Sequence, residues 1–124
     1  MKPNAEKPLI VQIIHSFRYA AVGLRVLCRD RNMLVHLLAC VAVTVMGFWL
    51  KVSVEEWAIL VLAASLVMGL EAMNSAIEFA VDLASPEFHE LAAKAKDVAS
   101  ASVLIAALGA MIVGAILFLP RLLN

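Results

Sequence analysis

Apolar residues along this chain come in three long blocks set apart by short polar stretches. Residues 33–50 carry no formal charge, residues 57–77 are interrupted only by Glu71, and residues 98–119 carry none. A bilayer core takes roughly 20 mostly apolar residues in a helix, so each block has the length of a membrane crossing. Ahead of them, "LIVQIIHSFRYAAVGLRVL" (9–27) has a different rhythm. Ile10, Ile13, Ile14, Phe17, Ala21 and Leu24 recur at steps of three and four, leaving Arg18 and Arg25 on another side. That spacing predicts an amphipathic helix over about residues 9–28, lying on the membrane surface with its Arg stems reaching toward lipid phosphates. Another role for it is as a wall of a site beside Asp30. The expected fold is an all-α integral membrane protein. Three transmembrane helices span about 33–50, 57–77 and 98–119, joined to the surface helix in one membrane-embedded domain, 1–124.

The connections are short. "KVSVEE" (51–56) leaves room only for a tight reversal, with Trp49 and Trp57 flanking it as interfacial anchors. Residues 30–32 punctuate the end of the surface helix. After Asp82 comes the polar run "LASPEFHELAAKAKD", in which Ser85 as an N-cap and Pro86 at the first helical position predict a short helix leading into the third span. No repeat or low-complexity tract is visible.

Composition agrees with the pattern: 64% of residues are hydrophobic, 16% are charged, and mean hydropathy is +0.95. Lys2, Lys7, Arg18, Arg25, Arg29 and Arg31 precede the first span. Lys51 stands alone in the reversal, Lys94 and Lys96 lie before the third span, and Arg121 follows it. The positive-inside rule therefore places the N-terminus and the 84–97 loop in the cytoplasm, with three crossings of the membrane. No apolar core followed by a small-residue cleavage site occurs in the first thirty residues, so a cleaved signal peptide is not expected. Net charge is zero, leaving no basic excess to neutralise phosphates, which argues against nucleic acid as a partner. Cys28 and Cys40 lack metal-ligand or redox spacing and read as packing residues.

What the pattern does not explain is the acid content of the second block. At about 100° per residue, Glu71, Glu78 and Asp82 fall within about 20° of a common line and Asn74 about 60° to one side. At about 1.5 Å rise per residue, Glu71 sits roughly 10 Å deeper than Glu78, so the stripe is a ladder from lipid depth toward water. An ionised carboxylate facing hydrocarbon costs about 2.5 to 3.5 kcal/mol on insertion scales, so such a group faces protein or a wet cavity. Oligomerisation would provide that shelter. A structural alternative pairs Glu71 with Lys96, and a solvated face accounts for Asp82 as well as a functional one does. Two carboxylates with a nearby Lys suit a Mg²⁺ shared with a polyphosphate. A deeper Glu in an apolar setting suits general-base work. Together they suggest phosphoryl transfer to a lipid hydroxyl. Neither a Walker loop nor a protein-kinase Gly-rich loop occurs, so nucleotide would be held another way.

"EAMNSAIEFAVD" (71–82), "FHELAAKAKD" (88–97) and "SFRYAAVGL" (16–24) together resemble the small prokaryotic diacylglycerol kinase family, which includes the undecaprenol kinases, over nearly the whole chain. The resemblance implies a homotrimer with active sites shared between subunits, in the bacterial inner membrane, moving the γ-phosphoryl of ATP to a lipid alcohol with Mg²⁺. Carried over by motif, Glu71 is the general base and Asn74 orients the site. Glu78 and Asp30 hold the metal. Lys96 and Asp97 bind nucleotide, Glu87, Phe88 and His89 lie in the loop that closes over it, and Ser100 lines the lipid site. Asp30 departs from the family pattern, which has Glu there, and one residue is missing between Gly23 and Asp30. "RNM" with His36 resembles the undecaprenol branch, whereas "NSAIE" and "HELAAKAKDVASASVLIA" resemble the diacylglycerol branch. His36 by itself reads as a packed, neutral histidine. From another class, a small proton-coupled transporter subunit would also carry an acid inside the bilayer, and a scaffold that has lost activity would tolerate the Asp30 replacement.

Overall fold

The computed structural model describes residues 8–123, so Lys2 and Lys7 of the N-terminal basic group lie outside the described residues. Four helices follow one another: α1 (Leu9–Leu27), α2 (Arg31–Trp49), α3 (Val54–Ala84) and α4 (Glu90–Leu123). All four are long and apolar enough to cross a membrane, α1 being the least apolar. None of α1's residues is buried, whereas α3 and α4 pair most extensively and α2 packs on both. At about 1.5 Å per residue, α3 is about 46 Å long, well beyond the roughly 30 Å of a bilayer core. Its acid-bearing end therefore has length to spare for reaching the interface.

Each boundary has a local cause. Asp30 starts α2: its Oδ1 accepts the Asn32 N–H at 2.8 Å. Ser53 and Glu56 form a reciprocal capping box at the start of α3, with the Glu56 carboxylate accepting the Ser53 N–H at 2.7 Å. Lys51 takes the reversal's one positive φ among non-glycine residues, 51°. The expected short helix beginning at Pro86 is absent from the described residues. Ser85 instead ends α3, Pro86 and Glu87 bend, and α4 runs unbroken from Glu90. His89 takes the cap position there, its Nδ1 accepting the Leu91 N–H at 3.2 Å.

The apolar core lies beside the α2–α3 reversal, where Val52, Leu60 and Phe118 are buried against Met46, Trp57 and Leu117 among others. Trp57 is half-buried. Its ring occupies the space left open by Gly47 and packs on Phe48 with centroids 4.9 Å apart. Trp49 remains exposed, as an anchor would. Arg121 closes this end: its Nη2 donates to both Glu56 oxygens at 2.8 Å and its Nη1 to the Leu117 carbonyl at 2.7 Å.

Candidate active site

At the opposite end of the bundle, the α-helical period brings the polar residues of α3 onto one face. Glu71 is 2% exposed, Asn74 5% and Ser75 4%, and Glu78, one turn closer to the helix end, is half-buried. The burial of Glu71 takes place within one chain, so sheltering this acid does not itself require a second copy. The Asn74 Nδ2 donates to Glu78 Oε1 at 2.9 Å, holding two members of the stripe in register. Two oxygens in this cluster, Glu71 Oε1 and Asn74 Oδ1, are buried without a hydrogen-bond partner. A buried acceptor left unpaired costs about 1 to 3 kcal/mol.

Asp30 reaches this face from α2. Its Oδ2 accepts the Ser75 hydroxyl at 3.3 Å, a contact between residues 45 apart in the chain. Ser75 was not singled out by the sequence motif as having a role, although it lies inside it. His36 is half-buried.

Nearer the helix ends, Lys96 of α4 forms its ion pair with Asp82 of α3, not with Glu71. Pairing Glu71 with Lys96 as a structural device is thereby overturned: the cation sits at Asp82, about three turns along the stripe from Glu71. Around this pair is an open pocket of about 240 Å³ whose walls include Glu87, Phe88 and His89 from the bend and Ala92 of α4. Phe88 is 90% exposed. The Ser85 hydroxyl donates to the Glu87 carbonyl at 3.1 Å and shapes the bend. Asp97 and Ser100 are both exposed.

The chemistry of the donor set can be tested against a Mg²⁺ ion. Asp30, Glu78 and the unpaired Asn74 Oδ1 are all hard oxygens. No group of three or more His, Cys, Asp or Glu able to hold a metal occurs among the described residues, so a Mg²⁺ ion here would need most of its ligands from elsewhere. That suits Mg²⁺, which is commonly held by one or two carboxylates and completed by substrate phosphates and water.

A helical protein apolar enough to cross a membrane, with a sheltered acid face leading to an open polar pocket, can be placed by comparison with known proteins. Residues 18–118 match the family described as prokaryotic diacylglycerol kinase. A diacylglycerol kinase of Synechocystis is 41% identical over 132 residues, covering 99% of this chain and 75% of that protein. The undecaprenol kinase of Bacillus subtilis is 39% identical, covering 86% of this chain and 88% of its own length. The diacylglycerol kinase of Escherichia coli K12 is 43% identical over 64% of this chain and 65% of its own. The chain belongs to the prokaryotic diacylglycerol kinase family.

Proposed function

We propose that this chain, an ATP-dependent membrane lipid kinase by its family, phosphorylates the hydroxyl of diacylglycerol to give phosphatidic acid. The observation that carries the proposal is the buried carboxylate of Glu71, whose Oε1 has no partner, on the same helix face as the hydrogen-bonded Asn74 and Glu78. Glu71 takes the proton of the lipid hydroxyl as its oxygen attacks the γ-phosphorus of ATP, the bond from that phosphorus to the bridging oxygen breaks, and ADP leaves. Asn74 orients the reacting groups, and Ser100 lines the lipid side. Asp30 and Glu78 would hold Mg²⁺, which when bound neutralises charge on the phosphates. Lys96 and Asp97 bind nucleotide, with Glu87, Phe88 and His89 closing over it. Lys96 is held by Asp82 until phosphates replace that partner.

The assembly we propose is a homotrimer in the bacterial inner membrane, with the N-terminus and the 84–97 loop cytoplasmic, α1 on the membrane surface and three crossings within a single domain, 1–124. Exposure of Phe88, Asp97 and Ser100 within one chain supports sites completed by a neighbour. Family membership favours the kinase over a transporter subunit. Undecaprenol is the second acceptor to consider, because the similarity to the Bacillus subtilis undecaprenol kinase runs along 88% of that protein. Supplying the purified protein with labelled ATP and each lipid separately in detergent micelles tests both readings. Faster transfer to diacylglycerol is expected, whereas transfer to undecaprenol alone overturns the choice of acceptor and transfer to neither overturns the kinase.

A further inference from the structure

α2 and α3 run antiparallel across the tight reversal, and the contacts between them fix which residues stand level. A Cβ on Gly47 would fall 2.6 Å from the Trp57 ring, the Cys40 thiol lies 3.8 Å from the Met68 sulfur, and the Asp30 carboxylate accepts the Ser75 hydroxyl at 3.3 Å. Each step back along α2 is thus matched by a similar step forward along α3. His36 lies between Cys40 and Asp30, and the residues one turn on from Met68 and one turn short of Ser75 are Glu71 and Ala72. Met33, His36 and Cys40 share one face of α2, as Met68, Glu71 and Ser75 share one face of α3. His36 and Met68 also line the same space between the helices. The register therefore puts His36 at the level of Glu71, on the facing helix.

Both residues are left unfinished by the fold. Glu71 is 2% exposed and its Oε1 accepts nothing. His36 is half-buried at the edge of an apolar cavity of about 390 Å³, where the Cys40 thiol is the one other side-chain donor. A thiol donates weakly, and this one lies against Met68. Backbone N–H groups inside the helices are used by the helices themselves. His36 is then the strong donor on this wall, and the cavity leaves its ring space to turn.

We propose that His36 is a positioning residue for Glu71: a ring N–H turns to donate to Glu71 Oε1 and holds the carboxylate with Oε2 toward the lipid hydroxyl. The inference rests on the lipid-kinase reading for what Glu71 does and adds what holds it in place. A carboxylate with an open oxygen is free to rotate about its side-chain bonds, and misplacing a reacting group by about 1 Å costs about a hundredfold in rate. A hydrogen bond to the charged oxygen also offsets part of the cost of burying the acid. An imidazole carries at least one N–H whether neutral or protonated, so the contact does not depend on the ring changing charge. The other charged groups of this end cannot take its place. Lys96 is bound to Asp82, and the Asp30 and Glu78 carboxylates are themselves acceptors.

Two measurements test the pair, one of them independent of turnover. First, the histidine ring nitrogens of the full-length protein are isotopically labelled in detergent micelles, and the NMR signals of His36 are told from those of His15 and His89 by substitution. Glu71→Ala should move the His36 ring signals toward those of a free imidazole, whereas Asp82→Asn, about three turns along the stripe, should leave them in place. His36 signals unmoved by Glu71→Ala overturn the proposal, whether or not the protein is active. Second, initial rates are compared at saturating MgATP and lipid. His36→Phe keeps a ring and loses the donor, so kcat should fall about ten- to hundredfold with KM for ATP within about twofold. His36→Asn and His36→Gln place an amide donor at the reach of one or the other ring nitrogen, and at least one of them should keep kcat within about threefold of wild type. With Glu71 already replaced by Gln, His36→Phe should change the residual rate by less than about twofold, because nothing is left to position. Full additivity of those two substitutions overturns the proposal, as does an equal loss in all the His36 variants. A lower Tm with kcat per folded molecule unchanged would make His36 a packing residue, and a raised KM for lipid at unchanged kcat would assign its ring to the substrate; either overturns it. If the His36 signals respond to Glu71→Ala while the wild type phosphorylates no acceptor, the kinase reading fails and the pair stands.

Discussion

The two ends of the helix bundle treat their charged groups in opposite ways. At the reversal end, Glu56 receives the Ser53 N–H and two bonds from Arg121, and Val52, Leu60 and Phe118 close a core around the charged pair's neighbours. At the acid end, Glu71 Oε1 and Asn74 Oδ1 are buried with no donor. One end is organised for stability. The other retains unsatisfied acceptors, a feature that reduces stability and that a reaction centre can use. If this contrast is right, substitutions at the acid end should move kinetics far more than folding, and those at the reversal end should do the reverse.

Glu71→Gln has the largest expected effect. It preserves shape and removes the proton acceptor, so kcat should fall by about 10²- to 10⁴-fold, the range for losing a general base, with KM for ATP within about twofold. Initial rates with labelled ATP measure both, and near-normal turnover would remove Glu71 from that role. Glu78→Gln comes next. Losing one charged contact to a bound cation is worth about 1.5 to 3 kcal/mol, which corresponds to roughly a ten- to hundredfold higher KM for MgATP. Titrating Mg²⁺ at fixed ATP should show the loss as a rightward shift that saturating metal partly restores.

At the reversal end, Gly47→Val tests the other half of the contrast. A Cβ on residue 47 would come within 2.6 Å of Trp57 Cη2 and 2.7 Å of Cζ2, closer than real contacts allow. The Trp57 ring is packed against Phe48 and the core, so it has little freedom to withdraw. Overpacking of this kind costs about 1 to 3 kcal/mol, and the better helix propensity of Val over Gly offsets only part of it. Thermal unfolding in detergent should show a lower Tm, with kcat per folded molecule unchanged. A normal Tm would show that the indole slot is loose.

Much of this arrangement was legible in the sequence because it depends on local period. The long apolar blocks marked three of the helices that are apolar enough to cross a membrane, and the 3.6-residue repeat put Glu71, Asn74 and Glu78 on one face before any packing was known. The start of α4 was misread because Ser85 and Pro86 carry the usual signals of a helix start, whereas the residue that takes the cap position is His89, which is not among the strongly preferred caps. The packing of Trp57 was not legible, because a position beside a turn does not say which helix its ring meets. Only the packed structure brings Gly47 beneath it. Glu71 was expected to need a neighbouring chain for shelter, yet α3 turns it inward within one chain. In each case the missing information was which helix faces meet, and a helical repeat is silent on that.

The same limit explains Ser75, whose contact with Asp30 joins α3 to the start of α2, and Ser75→Ala is the smallest effect predicted here. The hydroxyl is buried and its bond is long at 3.3 Å, so its net worth falls at the weaker end of about 0.5 to 1.5 kcal/mol. Removing it leaves Asp30 attached only through its capping bond to the Asn32 N–H, free to turn about that anchor. If Asp30 contributes to the metal site, the apparent affinity for Mg²⁺ should weaken about two- to fivefold, with kcat at saturating metal retained and Tm within about 2 °C of wild type. Ser75→Thr, which keeps the hydroxyl, should recover most of the affinity where its extra methyl is accommodated. A purely structural Ser75 would give a lower Tm with Mg²⁺ affinity unmoved. That outcome would detach Asp30 from the metal and leave it as a helix cap, so the acid end would then carry its unsatisfied oxygens on α3 alone.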